Sequence, residues 1–505
     1  MQAESPRLAS GAEFAKKEAG EAPAVCLGYD HDGSAYVSDA LPTVTFGYSG
    51  SPAFDDDVKH FPREQIQDLP VGIDGRGYQW VDLDGEGVPG VLTQQGGGLY
   101  YKRNLGEGQL SRSFQQLRDQ PTTPRLGDPT PRAQPRAPQQ LLDVPGPGLP
   151  DLVDTSGPAK GYYPRRDDGT WGPFQAFQQL PNIDFSSPWV RFLDLTGDGH
   201  ADVIMSENQV YTWWPSLGRK GYGVGRRAPR CIDDTKGPTV LFADAVQTIR
   251  LADMTGDGLQ DLVRIDQGRI GYFPNLGHGR FGPFVLMGGP HMAPCNHYNP
   301  YRIRLADLDG TGTADLLYFG GDGIQIWRNQ SGNSFGECEL LPLFPGRDAL
   351  STIDVVDMLG TGTSCIVWST PFQGHDPRLR YVDLLRSTKP HLLTRIDNGL
   401  GLETTIAYTT STKQSLADRA AGRPWATRLP FPNHVVERLE PHDRITSHRR
   451  VSTYRYRHGY YDPEEREFQG FGYVETRDAE TIPEALGQGL SGEDAPPGAV
   501  GAERP

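Results

Sequence analysis

The stretch LADMTGDGLQDLV, from Leu251 to Val263, occurs again in similar form at 192–204 (FLDLTGDGHADVI) and at 305–317 (LADLDGTGTADLL). In each copy, oxygen-bearing side chains and glycines alternate between two short apolar segments. Glycine adopts the backbone angles of sharp turns readily, and Asp and Thr side chains form hydrogen bonds with nearby backbone groups in turns. The pattern therefore predicts a tight acidic turn between two β-strands.

The acidic turn belongs to a longer repeat. Its first aspartate recurs at intervals of 50 to 61 residues, at Asp82, Asp143, Asp194, Asp253, Asp307 and Asp357. Apolar residues flank each turn, and several copies continue into an aromatic strand such as GYFPN (271–275) or TWWPS (212–216). A repeat of this length with alternating apolar residues indicates about four short strands per copy. The sequence predicts an all-β fold with a β-propeller of about six blades over residues 41–388, interrupted by a Pro-rich insertion at 117–140. A β-solenoid is the alternative.

The three most complete turns have the ligand pattern of a calcium loop. Oxygen ligands at positions 1, 3, 5 and 9, with glycine at position 6 for the bend, suit the oxygen-rich geometry that Ca²⁺ prefers. The candidate ligands are Asp194, Thr196, Asp198 and Asp202; Asp253, Thr255, Asp257 and Asp261; and Asp307, Asp309, Thr311 and Asp315. Aspartates in tight turns also accept hydrogen bonds from backbone amides without any metal. Both interpretations stay open at the level of sequence.

The overall composition argues against two classes of protein. The chain has 505 residues, a formal net charge of −15 and 10% aromatic residues. Nucleic-acid-binding domains present a basic face, so this charge disfavours a nucleic-acid partner. The chain has no run of about 18 apolar residues, and its N-terminus lacks the apolar core of a Sec signal peptide. We expect no membrane span, and we expect disordered segments at 1–40 and 481–505.

The repeat stops near residue 389, and a different pattern begins. HLLTRIDNGLGLETTIAYTTST (391–412) predicts a turn followed by an alternating strand. RVSTYRYRHGYYDPEEREFQGFGYVETRD (450–478) predicts a second extended segment, and a short helix is expected near 415–421. We therefore expect a separate β-sheet region at 389–480.

These two segments, together with VDLDGEGVPGVLTQQGGGLYYKRN (81–104) and the LTGDGHADV copy, resemble the SpvB and TcdB-type toxin B component of bacterial insecticidal toxin complexes. The acidic turns are similar to FG-GAP and VCBS propeller repeats. The resemblance implies that residues 389–480 form a partial sheet of Rhs type. It implies a propeller that docks onto a channel-forming A-type subunit and gates it, and a sheet that forms part of a toxin-enclosing shell with a cargo-carrying C-type subunit. It also implies a virulence factor that is cytoplasmic before release and extracellular afterwards.

The sequence predicts no enzyme. It lacks a nucleophile elbow, a P-loop and a zinc-protease motif. Ser411, Glu465 and Glu467 follow the order of ADP-ribosyltransferase motifs, but TTSTK is not the Ser-Thr-Ser strand of that class. Two further functions stay open as alternatives: a calcium-dependent adhesion or carbohydrate-binding propeller, and an enzyme with its site in the central channel of the propeller.

Overall fold

The computed structural model describes residues 21–24, 27–31, 36–40, 42–55, 57–66, 68–69, 78–95, 98–117, 139–142, 149–155, 159–166, 168–198, 200–243, 249–266, 269–288, 299, 302–342, 351–370, 378–462 and 467–481. Within these residues the fold is almost entirely β, which confirms the predicted all-β class. The opening aspartate of the second acidic turn, Asp143, lies outside the described residues, as do 118–138 of the Pro-rich insertion.

Six four-stranded antiparallel sheets follow one another along the described chain. The first contains β6 (Tyr78–Val81), β7 (Gly90–Gln95), β8 (Gly98–Lys102) and β11 (Gln115–Gln116), with a hairpin of β9 (Asn104–Gly106) and β10 (Gln109–Leu110). The second contains β12 (Gln139–Leu142), β13 (Asp151–Asp154), β14 (Gly161–Tyr163) and β15 (Gln175–Ala176). The third contains β16 (Val190–Leu193), β17 (Asp202–Ser206), β18 (Val210–Trp214) and β19 (Arg226–Pro229).

The remaining three sheets repeat this order. The fourth contains β20 (Ile249–Ala252), β21 (Asp261–Asp266), β22 (Arg269–Phe273) and β23 (Val285–Met287). The fifth contains β24 (Ile303–Ala306), β25 (Asp315–Phe319), β26 (Ile324–Asn329) and β27 (Phe335–Leu341). The sixth contains β28 (Thr352–Val356), β29 (Cys365–Ser369), β30 (Leu379–Asp383) and, as its outer strand, β5 (Val58–His60) from the N-terminal region. In each sheet whose acidic turn is described, that turn joins the first strand to the second.

The core lies between neighbouring sheets. Every residue of β25 and β29 is buried, because each sheet packs against a neighbour on both faces. Separate apolar clusters join the third sheet to the fourth, the fourth to the fifth and the fifth to the sixth. Another cluster joins the sixth to the first and contains Val91, Leu110, Met358 and Val367. Leu141 of the second sheet packs on the first, and Phe177 beside the second sheet contacts Tyr222 of the third. Each sheet therefore contacts the next, and the sixth contacts the first.

A seventh, larger sheet follows the repeats. Its strand order is β1 (Glu21–Ala24), β4 (Val44–Tyr48), β31 (Leu393–Asp397), β32 (Leu402–Thr410), β33 (His434–Asp443), β34 (His448–Asp462) and β35 (Glu467–Thr481). We call it the C-terminal sheet. Helix α2 (Ser411–Ala420) leaves β32 and packs against β34, which confirms the expected short helix. A four-residue helix, α1 (Arg63–Ile66), and a hairpin of β2 (Leu27–His31) and β3 (Tyr36–Ala40) complete the described elements.

The N-terminal region differs from the sequence prediction in two ways. The sequence predicts disorder over residues 1–40, but β1, β2 and β3 lie within them. The predicted propeller includes residues 44–48, but β4 pairs with β31 of the C-terminal sheet. For β4 the reason is that its partner is about 350 residues away in the sequence, so no local pattern indicates the pairing; β1 in turn pairs with β4. Residues 1–20 and 482–505 lie outside the described part of the chain.

Candidate functional site

The first aspartate of each described acidic turn holds the turn closed. Asp253 Oδ1 accepts hydrogen bonds from the backbone N–H groups of Thr255 at 3.2 Å and Gly256 at 2.7 Å, and its Oδ2 accepts one from Gly258 at 2.7 Å. The equivalent aspartates make bonds of the same kind in the first, third, fifth and sixth sheets. These carboxylates therefore satisfy turn amides that would otherwise lack a partner.

The aspartate at the ninth position of the turn accepts two backbone hydrogen bonds of its own. Asp261 Oδ2 accepts from the N–H of Met254 at 3.0 Å, and its Oδ1 accepts from the N–H of Asn275 at 2.8 Å. Asp202 and Asp315 bond in the same way to the equivalent amides of their sheets. Each of these aspartates thus ties the acidic turn to the turn after the third strand. Burial raises the pKa of Asp202 and of Asp261 to about 6 and that of Asp315 to about 7, against the opposing effect of the backbone hydrogen bonds.

The fifth turn alone gathers its carboxylates, as far as the described residues go. Oxygens of Asp307, Asp309 and Asp315 lie within 4.8 Å of one another. The three carboxylates of the third turn, and likewise those of the fourth, do not converge to that distance; Asp198 and Asp257 are exposed and accept from local amides. Two basic side chains lie close to the fifth turn. Arg328 Nη1 lies 3.8 Å from Asp309, and Lys389 Nζ donates to the carbonyl of Gly310.

The threonine hydroxyls predicted as ligands all have hydrogen-bond partners within their own turns. The hydroxyls of Thr196 and Thr255 lie 3.4 Å from their own first aspartates. The hydroxyl of Thr311 is paired with that of Thr313 at 3.1 Å. These contacts are of the kind that stabilises a tight turn.

Sequence reasoning missed an asparagine at the end of the third strand. Asn275 Nδ2 donates to Asp194 O in the preceding sheet at 3.0 Å, and Asn329 Nδ2 donates to Met254 O at 2.9 Å. Asn104 of the first sheet donates in the same way to Met358 O of the sixth, at 2.8 Å. The signal was visible as the repeated YKRN, YFPN and IWRN. One inter-sheet bond therefore recurs between sheets three and four, four and five, and six and one.

Helix α2 and its neighbours cover part of the acidic-turn face. The Thr410 hydroxyl donates to Gly360 O of the sixth turn at 2.7 Å. Arg419 pairs with Glu86 of the first turn, and Arg103 Nη2 lies 2.6 Å from Asp84. These charged groups line a polar cavity of about 160 Å³ between the first turn and α2. The region of α2 is thus attached to the repeats by a hydrogen bond and by the partly buried ion pair of Arg419 and Glu86.

The structure describes two of the three residues that follow the order of a transferase motif, Ser411 and Glu467. Ser411 is buried in the first turn of α2, where its hydroxyl accepts from the N–H of Asn433 at 2.9 Å. Glu467 begins β35, and Glu465 lies outside the described residues. The helices in the described part of the chain are all too short to span a membrane.

Comparisons with known proteins match both regions. Residues 342–487 match the family model of the insecticide toxin TcdB middle/N-terminal region. The resemblance to the TcdB-type toxin B component is confirmed. Residues 253–318 match the FG-GAP-like repeat, which confirms the predicted likeness of the acidic turns to that repeat. A comparison with curated proteins found no match.

Solved structures of TcdB-type proteins resemble nearly the whole chain. A structure of a Photorhabdus luminescens Tc holotoxin pore is 27% identical, with a TM-score of 0.74, over 91% of this chain and 21% of that chain. A crystal structure of TcdB2-TccC3 is also 27% identical, with a TM-score of 0.59, over 94% of this chain and 23% of that chain. The chain therefore spans less than a quarter of the length of either of these relatives.

Proposed function

We propose that this chain is a non-catalytic part of a bacterial toxin complex, released as an extracellular toxin. Its six sheets form a β-propeller that docks onto a channel-forming A-type subunit and gates it. Its C-terminal sheet forms part of a shell that encloses a toxin together with a cargo-carrying C-type subunit. The observation that carries the proposal is the likeness to the Tc holotoxin pore structure over 91% of the chain, across both the repeats and the C-terminal sheet.

Two features of the molecule support a ring-shaped docking module. The asparagine bond between neighbouring sheets also joins the sixth sheet to the first, as a closed arrangement requires. The carboxylates of the acidic turns are largely engaged with backbone amides, which fits a structural part better than general acid–base chemistry. Rigid rings of short sheets offer broad faces for contact.

Binding to purified subunits tests this proposal. The chain is immobilised and exposed first to a channel-forming A-type subunit and then to a C-type subunit of a toxin complex. We expect saturable binding to each, measured by biolayer interferometry. A chain unfolded by heat and cooled on ice serves as the control. Lack of binding to both subunits by the folded chain contradicts the proposal.

The fifth acidic turn supports a second, narrower proposal. We propose that a calcium ion binds at Asp307, Asp309 and Asp315, because hard cations prefer several carboxylate oxygens and this turn brings three together. The nearby Arg328 and Lys389 partly neutralise the cluster, so we expect weak affinity. The predicted sites at the third and fourth turns would need their exposed aspartates to move inward.

Removal of divalent ions tests the calcium proposal. We expect EDTA to lower the melting temperature of the wild type and to leave that of Asp309→Asn nearly unchanged. The double variant Asp253→Ala/Asp257→Ala serves as a matched control: it loses turn hydrogen bonds but keeps the response to EDTA. If the wild type has the same melting temperature with and without EDTA, the calcium proposal is contradicted.

A further inference from the structure

The polar cavity between the first acidic turn and α2 is large enough to hold a small organic molecule. Its volume is about 160 Å³, whereas a single buried water needs only about 10–15 Å³. Its wall is formed by the first turn, by one face of α2 and by the loop at 425–429. The side chains of Arg103 and Arg419 in this wall are partly exposed, so solvent reaches the cavity.

The carboxylates in the wall are each paired with an arginine. Arg103 Nη2 lies 2.6 Å from Asp84, and Arg419 pairs with the almost fully buried Glu86. Arg428 adds a third guanidinium group to the wall. A metal cation in the cavity would meet the arginines, and a multiply charged anion would meet the two carboxylates. The wall therefore presents donors and acceptors together, which suits a neutral ligand that has both.

A buried hydroxyl group in the same wall lacks a hydrogen-bond partner. The Thr412 side chain is only 2% exposed, and within the described residues its Oγ1 makes no hydrogen bond. A buried polar group without a partner costs about 1–3 kcal/mol, and such groups are rare in folded proteins. Ser415 follows three residues later and places a second hydroxyl in the wall. A ligand that carries hydroxyl groups would supply the partner that Thr412 lacks.

An indole ring adds an apolar surface to this polar wall. Trp425 lines the cavity, and its Nε1 donates to Asp418 Oδ2 at 3.1 Å. Its ring also packs edge-on against Phe471, so its position is fixed from two sides. A sugar ring carries hydroxyl groups around its rim and C–H groups on its faces. Hydrogen-bonding side chains beside an amphipathic indole match that combination.

We propose that this cavity binds a hexose in its pyranose form. The hydroxyl groups of the sugar bond to Thr412, Ser415 and the arginine–carboxylate pairs, and the indole of Trp425 contacts its C–H groups. Binding relies on these side chains and needs no calcium ion. The inference goes beyond the proposed function, because it assigns a small-molecule site at the junction of the repeats and α2 and does not depend on any toxin-complex subunit.

Ligand-observed NMR on the whole chain tests the inference. Saturation-transfer difference spectra are recorded in EDTA with D-glucose, D-galactose and D-mannose, and with citrate as a multiply charged probe. We expect saturable transfer to at least one of the three hexoses. Transfer to citrate alone, or to none of the four probes, would overturn the sugar site and leave the proposed function intact.

Substitutions on α2 show whether the sugar binds in this cavity. Thr412→Val keeps the shape of the side chain and removes the unpartnered hydroxyl. We expect it to melt no lower than the wild type in the absence of sugar and to bind the hexose about tenfold more weakly, equivalent to about 1.4 kcal/mol.

Ser415→Leu fills the cavity and should abolish binding. Ala417→Leu adds the same side chain at an exposed position of the same helix and is the matched control, which should bind like the wild type. Circular dichroism confirms that each variant is folded. Wild-type affinity in both Thr412→Val and Ser415→Leu would overturn the cavity as the binding site.

Discussion

At the scale of single residues, one backbone amide explains why the acidic turns differ in sequence. The N–H group that follows the first aspartate is buried in every described turn and needs an acceptor. The third, fourth and fifth sheets supply the ninth aspartate. In the first sheet that position is Gly90, and the hydroxyl of Tyr101 takes the place of the carboxylate, accepting from Leu83 N–H at 3.4 Å. In the sixth sheet Cys365 stands there, and the N–H of Met358 donates instead to the carbonyl of Val356 at 3.0 Å. The lost carboxylates are thus replaced by other acceptors.

Tyr101→Phe tests this replacement. The variant leaves the Leu83 N–H without its acceptor and also removes the bond from the Tyr101 hydroxyl to Val81 O. A buried amide without a partner costs about 1–3 kcal/mol, so we expect the free energy of unfolding to fall by about that amount. Urea denaturation followed by fluorescence gives the value. The neighbouring Tyr100→Phe, on a half-buried ring, is the control, and equal stability of the two variants would contradict the replacement.

At the scale of elements, the start of α2 connects the repeats to the C-terminal sheet. Thr412 lies between the glycine turns of the first and sixth sheets, so that an added methyl group on Gly87 or Gly360 would lie within 2.7 Å of its side chain. Leu359, Thr361 and Thr363 of the sixth turn are nearly fully buried. A turn buried in this way cannot keep several solvated carboxylates, since burying a charge is costly. The covered position of the sixth turn fits its lack of further acidic residues, whereas the first turn, which α2 also covers, keeps Asp84 and Glu86 paired with Arg103 and Arg419.

Two glycine substitutions distinguish the effect of backbone strain from the effect of lost contact between α2 and the repeats. Gly87→Ala and Gly258→Ala place a methyl group at φ +78° and +86°, so both variants lose about 1–2 kcal/mol from the left-handed conformation. Only Gly87→Ala also collides with the Thr412 hydroxyl and the backbone of Phe431. We expect faster limited proteolysis of the region 411–431 in Gly87→Ala alone. Identical cleavage rates would show that α2 does not depend on this contact.

The free energy of unfolding should depend on pH through His434, which lies at the same junction. Burial, and then the nearby Lys389, lower the pKa of His434 from 6.5 to about 4. The unfolded chain therefore binds a proton at higher pH than the folded one, so this contribution to stability is complete above pH 6.5 and is lost as pH falls towards 4. Buried aspartates such as Asp82, whose pKa burial raises to about 6, act in the opposite direction. A comparison of variants isolates the histidine.

We expect His434→Gln to lose less stability than the wild type between pH 7 and pH 5. Since the side chain is only about half-buried, we expect a difference of about 1 kcal/mol, measured by urea denaturation at both pH values. His448→Gln, at an exposed strand end, should follow the wild type. A wild-type pH profile in His434→Gln would show that this histidine does not couple to folding.

At the scale of the whole molecule, the N-terminal region completes two distant sheets. Strand β5 pairs with β30 to become the outer strand of the sixth sheet, and β4 pairs with β31 at the start of the C-terminal sheet. Val58 of β5 packs into the apolar cluster between the fifth and sixth sheets. Residues 44–60 are therefore needed for both the sixth sheet and the C-terminal sheet to be complete.

Val58→Asp should weaken this long-range pairing. A charge at a partly buried apolar position costs roughly 2 kcal/mol or more, and the loss should appear as earlier unfolding of the sixth sheet. Hydrogen exchange of residues 352–383 measures it. His60→Asp, exposed on the same strand, is the matched control. Unchanged exchange in Val58→Asp would mean that β5 contributes little to the sixth sheet.

The sequence by itself determined the features that depend on neighbours in the chain. Turn glycines, alternating apolar residues and the period of the first aspartates were enough to predict the all-β class, about six units and a separate region after residue 389. Tertiary structure decided the rest: the outer strand β5, the contribution of β1 and β4, the acceptor role of Asp202, Asp261 and Asp315, and the convergence of carboxylates in the fifth turn alone among those described. The physical reason is that a turn is specified by a few adjacent residues, whereas strand pairing over hundreds of residues and the burial of a carboxylate depend on which surfaces meet in the folded chain.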